Sequence, residues 1–97
     1  MDKFLEDRNW KRYHTPKNIA MSIAIEAAEL MELFQWSNPI VDEVILDKSL
    51  LEKIQDEIAD ILIYSISLGL SLDLDLFDCI LKKMEKNDTR FPPPSKL

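Results

Sequence analysis

The sequence predicts an all-α fold, a small helical bundle that assembles with further copies of itself. Three observations carry this. One glycine in 97 residues leaves little means of building the positive-φ turns that hairpins need. Prolines stand at Pro16, Pro39 and Pro92 to Pro94, and the stretches between them carry helix start and stop signals. Apolar residues make up 46% of the chain and cover the two longest stretches on more than one side, which means burial on more than one side.

The elements follow in order. Asp2 to Tyr13 is a short amphipathic segment with Phe4, Leu5, Trp10 and Tyr13 on its apolar side. Thr15-Pro16 reads as an N-cap followed by proline at the first helical position. A long helix is expected from Pro16 to about Gln35, stopped by Ser37-Asn38-Pro39, because the residue before proline is pushed out of the α region. The connection from Pro39 to Asp47 holds Val41, Val44, Ile45 and Leu46, expected to dock as a short turn. Asp47 is placed to cap a helix over Lys48 to Leu72, and Asp73 to cap another over Leu74 to Asn87. From Thr89 the three prolines predict an extended tail. No linker or repeat divides the chain, so residues 1–97 read as one domain with the tail at 89–97.

Composition excludes several functions. The balance of 12 basic and 18 acidic residues gives a net charge of −6, which is no footprint for a nucleic acid polymer. No apolar run reaches the roughly 20 residues that span a bilayer. Met1 to Trp10 is charged throughout and does not read as a signal peptide. Cys79 is the only cysteine, so there is no intrachain disulfide, and it reads as a small buried apolar residue. These features predict a cytoplasmic protein with no membrane partner. A glycine-rich phosphate loop is excluded, so any phosphate here meets cations instead.

The acidic residues break the apolar pattern. Glu26, Glu29 and Glu32 stand on the first long helix, and Asp56, Glu57 and Asp60 on the second. No Lys or Arg lies within one turn of Glu26 or Glu29, and unpaired carboxylates in apolar surroundings are costly. Glu26-Ala27-Ala28-Glu29 and Glu57-Ile58-Ala59-Asp60 each place two carboxylates on one face. Opposing those faces gathers four acids, and a divalent cation relieves their repulsion. All-oxygen ligands select Mg²⁺, Mn²⁺ or Ca²⁺. A di-iron site would need a Glu-x-x-His pair from each of two helices, and His14, the only histidine, follows no Glu at that spacing. On an unbroken helix Trp36 falls about 20° from Glu29, and Tyr64 about 20° from Glu57. The two aromatics suit a clamp for a planar base.

Arg8-Asn9-Trp10, His14-Thr15-Pro16-Lys17-Asn18, Glu26-Ala27-Ala28-Glu29-Leu30 and Leu33-Phe34-Gln35-Trp36 resemble the MazG-like all-α nucleoside triphosphate pyrophosphohydrolases. Glu57 to Tyr64 matches the second half of that signature, after a spacer of 27 residues from Leu30 to Asp56. Lys83 to Asn87 and Arg90-Phe91-Pro92 match its C-terminal segment. Within the family the chain looks most like the single-domain dCTP pyrophosphatase type.

The resemblance implies cleavage of a (deoxy)nucleoside triphosphate such as dCTP between the α and β phosphates. It implies Mg²⁺, or Mn²⁺, on Glu26, Glu29, Glu57 and Asp60. It also implies nucleotide contacts from His14, Trp36, Tyr64, Lys83 and Asn87, and a homodimer or homotetramer. Glu26 or Glu29 is the expected proton acceptor from water. Lys83 and Lys17 are candidates for the phosphate tail and Arg90 a weaker one, and Glu32 extends the acidic stripe behind the metal set. Two alternatives stand beside this: the same chemistry on dUTP or a modified nucleotide, or a helical interaction protein without activity.

Overall fold

A computed structural model describes residues 15–90. The described residues are helical, with no strand among them: α1 (Pro16–Glu32), α2 (Val41–Leu46), α3 (Lys48–Ser71) and α4 (Leu76–Arg90). The expected segment over Asp2 to Tyr13, and His14 with it, lie outside the described residues.

Local chemistry sets the helix starts. The Thr15 Oγ1 accepts from the Asn18 amide at 3.2 Å, with Pro16 first in the helix. The Asp47 carboxylate accepts from the Leu50 amide at 3.1 Å. Each cap satisfies a backbone donor that the first turn leaves unpaired. The Glu43 Oε1 reaches back to the Ile40 amide at 3.1 Å, which organises the start of the short α2.

Two helix ends differ from the sequence reading. α1 stops at Glu32 and not near Gln35. Leu33, Phe34 and Gln35 donate to carbonyls three residues back, the tighter winding common in a last turn. At the α3 end, the Leu74 amide bonds the Gly69 carbonyl at 2.9 Å and the Asp73 amide the Leu70 carbonyl at 3.1 Å. This is a Schellman closure, with Asp73 in the left-handed region at φ 56°. Asp73 therefore ends α3. The cap of α4 is Asp75, whose carboxylate accepts from the Asp78 amide at 3.1 Å. α4 also runs on through Thr89 and Arg90, so the tail is not extended there. The Thr89 hydroxyl donates to the Glu85 carbonyl at 3.1 Å and ties it into the last turn.

Packing is concentrated between α1 and α3, with α2 laid against α3. Ile19, 1% exposed, is the buried apolar anchor of α1. Ser67 and Gly69 are buried on α3. Gly69 admits Leu76: a Cβ on Gly69 would lie 2.6 Å from Leu76 Cδ2, so the missing side chain lets α4 begin close to the end of α3. Beyond that turn α4 packs extensively on no other described helix, and Phe77, Ile80, Leu81 and Met84 are exposed along it. The radius of gyration is 17.0 Å, where a compact chain of this length has about 12 Å.

One expectation is corrected by this openness. Cys79 is exposed and not buried, because no other described helix packs extensively on its helix. The segment holding Val41, Val44, Ile45 and Leu46 does lie against α3, as a short helix; Val44 is half-buried there, and Val41, Ile45 and Leu46 are exposed.

Substituting Gly69→Val will lower stability by about 1–3 kcal/mol through overpacking, read by thermal or urea unfolding. The loss will shrink in a Leu76→Ala background, because the two sites couple. An equal loss in both backgrounds would show that Leu76 is not the obstacle. Asp75→Ala will cost about 1 kcal/mol through loss of the cap, whereas Asp73→Ala loses no cap.

Candidate metal and nucleotide site

α1 and α3 bring the acidic pairs together. One oxygen each of Glu26, Glu57 and Asp60 lies within 4.8 Å of the others, and all three side chains are half-buried. Position on the helix explains this. Ile19 and Glu26 lie within about 20° on α1, so the packing that buries Ile19 also turns Glu26 toward α3. Glu57 and Asp60 share a face of α3 at i, i+3. Ala27, Ala28 and Ala59 add no bulk around the carboxylates.

The electrostatics are those of acids without a counterion. Glu26 is pushed up from 4.5 to about 7. The largest cause is the neighbouring Glu57 carboxylate, to which a protonated Glu26 can donate, followed by burial and then the charges of Glu29 and Asp60. The Oε2 atoms of Glu26 and Glu57 are both buried without a hydrogen-bond partner. Two ionised carboxylates have only acceptors to offer each other, so a proton or a cation must stand between them. The donor set is all oxygen, the set that holds Mg²⁺ or Mn²⁺. Orphaned oxygens, mutual repulsion and short separation all fit a divalent cation.

The other sequence candidates are spread more widely. Glu29 is exposed and outside the close triplet, yet near enough for its charge to raise Glu26. Glu32 is also exposed. Tyr64 is half-buried on α3, on the side that carries Glu57. Trp36 is 89% exposed, in the turn after α1; the early helix end breaks the angular argument that set it beside Glu29. Lys83 and Asn87 are exposed on α4, which packs extensively on neither α1 nor α3. Lys17 is exposed in the first turn of α1 and Arg90 in the last turn of α4. On α4, Lys82 pairs with Asp78 at 2.9 Å.

With this geometry in hand, comparison with known proteins is informative. The profile of the MazG-like family matches residues 21–96, a span that includes all four acids. The chain belongs to the MazG-like family. It is 36% identical over 92 residues to dCTP pyrophosphatase 1 of Bos taurus and 34% identical over 92 residues to that of Homo sapiens. Each match covers 93% of this chain and 54% of the relative, so the chain spans about half the length of these relatives. The crystal structure of a pyrophosphatase from Archaeoglobus fulgidus superposes with a TM-score of 0.83 at 39% identity. That match covers 95% of this chain and 85% of the other.

The raised Glu26 value fixes a pH dependence. The folded chain holds this proton more tightly than the unfolded chain, so the contribution is full below about 4.5 and lost as pH rises through about 7. Without divalent metal, the melting temperature will fall between pH 5 and pH 7.5 more steeply in the wild type than in Glu26→Gln. Adding Mn²⁺ at pH 7.5 will raise it in the wild type and not in Glu57→Gln. A wild-type melting temperature indifferent to Mn²⁺ would contradict the cation site.

Proposed function

We propose that this MazG-like chain hydrolyses a nucleoside triphosphate, dCTP being the first candidate, to the monophosphate and pyrophosphate. The observation that carries the reading is the cluster of Glu26, Glu57 and Asp60, with buried oxygens of Glu26 and Glu57 left without a partner. It supports a cation site in a chain similar over nearly its whole length to dCTP pyrophosphatases.

Mg²⁺ held by Glu26, Glu57 and Asp60, with Glu29 at its edge, would supply charge neutralisation at the phosphates and a more acidic water. The chain's residues divide the remaining work. A water oxygen attacks the α phosphorus, the bond from that phosphorus to the bridging oxygen breaks, and pyrophosphate leaves with that oxygen. The water proton passes to a carboxylate, and we assign this to Glu29. It stands outside the close triplet and exposed, so it retains an oxygen for general base work. Trp36 and Tyr64 offer aromatic faces to the base, with His14, Lys83 and Asn87 as further nucleotide contacts. The large exposed apolar residues on α1, α3 and α4 support assembly into a homodimer or homotetramer. A nucleotide substrate fits a cytoplasmic, single-domain enzyme.

Pyrophosphate release from a panel of dNTPs and NTPs, with Mg²⁺ and with EDTA, tests the reading. Metal-dependent release with a matching monophosphate is expected, strongest with dCTP. Preference for dUTP would move the substrate but keep the chemistry. Absence of release from the whole panel and from modified nucleotides would overturn it.

Two variants separate the roles. Glu57→Gln will lose turnover by more than the roughly 10–100-fold that follows loss of a ligand's supporting contact, together with the Mn²⁺-induced rise in melting temperature. Glu29→Gln will lose turnover but keep that rise. Near-normal turnover in Glu29→Gln would remove it as the base.

A further inference from the structure

Ser67 is a polar side chain that the carboxylate site does not use. It is 2% exposed on α3, and its hydroxyl is buried without a hydrogen-bond partner. A serine inside a helix often bonds the carbonyl four residues back. Ser71 does so, donating to the Ser67 carbonyl at 2.8 Å, but the Ser67 hydroxyl does not. A buried hydroxyl left unpaired costs stability, and in a native fold it calls for an explanation.

Its place on α3 supplies one. Counting about 100° per residue, Ser67 lies within about 20° of Asp60, and Tyr64 within about 20° of Glu57. The two lines run side by side, so carboxylates, aromatic and hydroxyl follow one another along one face. Ser67 stands about 10 Å beyond Asp60 along the axis. That is comparable with the reach of a nucleotide from its α phosphate to the far edge of its base. In the other direction along α3 the half-buried side chains are Leu50, Leu51 and Ile54, which offer a base no hydrogen bond.

We propose that Ser67 is a specificity-determining residue: its hydroxyl pairs with the polar group on the pyrimidine ring carbon opposite the glycosidic nitrogen. This rests on the nucleotide reading proposed above. With the phosphates at the carboxylates and the ring against Tyr64, that group is the part of the nucleotide farthest from the acids. A hydroxyl both donates and accepts, so it meets the amine of cytosine or the carbonyl of uracil and does not choose between them. It rejects a base that brings neither, because the hydroxyl then stays buried and unpaired. At 2% exposure Ser67 is covered, so the base shifts the side chains over it on entry, and the fit is induced.

The test is a cycle of substrate against variant. Pyrophosphate release with Mg²⁺ is measured for dCTP, for dUTP and for an analogue triphosphate whose ring bears only hydrogen at that carbon. The wild type will favour the faster natural nucleotide over the analogue by roughly tenfold or more in kcat/KM. In Ser67→Ala that ratio will fall to within about threefold. The Mn²⁺-induced rise in melting temperature will remain, and the metal-free melting temperature will not drop, because the variant buries no unpaired hydroxyl. Ser67→Cys, close in shape but a weaker donor, will fall between the two.

An unchanged ratio in both variants, beside a wild type that releases pyrophosphate, would overturn the assignment of Ser67 and leave the function standing. An equal loss on natural and analogue substrates in Ser67→Ala would make Ser67 a packing residue and overturn the assignment as well. No release by the wild type from these substrates or from the wider panel would overturn the nucleotide reading, and the role of Ser67 with it.

Discussion

The repulsion among carboxylates held between α1 and α3 is the constraint on which the site depends. Packing forces it. Ile19 must turn inward for α1 to have any buried anchor, and Glu26 shares its side of the helix. α3 answers with Glu57 and Asp60, so burial of the apolar contact and crowding of the acids are one event. The metal-free chain relieves part of the strain by holding a proton on Glu26 near neutral pH. A divalent cation would relieve more of it, which would link binding of metal to release of that proton.

Much of this was legible in the sequence. Thr15-Pro16 and Asp47 marked helix starts by side-chain chemistry that acts within one turn, and both caps form. The acid pairs were legible because a helix fixes its own i, i+3 geometry. What failed depended on where a helix stops or what covers it. Trp36 was placed by extending α1 through a turn that winds tighter after Glu32. Asp73 and Asp75 offer the same cap chemistry two residues apart, and only the Schellman closure of α3 decides between them. Small apolar residues are usually buried and Cys79 reads so in the sequence, but it is exposed on a helix that no other described helix packs extensively. His14 lies outside the described residues.

The open shape bears on function as well as stability. Among the described residues the faces left uncovered carry methionine, isoleucine and phenylalanine beside their charged residues. The acids of α1 lie at the α1–α3 contact, while Met21 and Met31 are exposed on the other side of the same helix. Lys83 and Asn87 stand on α4, which packs extensively on no other described helix.

The most direct measurement is calorimetric titration of Mn²⁺ into the metal-free protein at pH 6, in two buffers of different ionisation enthalpy. Saturable binding that releases a proton to the buffer, and that disappears in Glu57→Gln, is the predicted result. Absence of saturable binding, or binding unchanged in Glu57→Gln, would contradict the account at its centre.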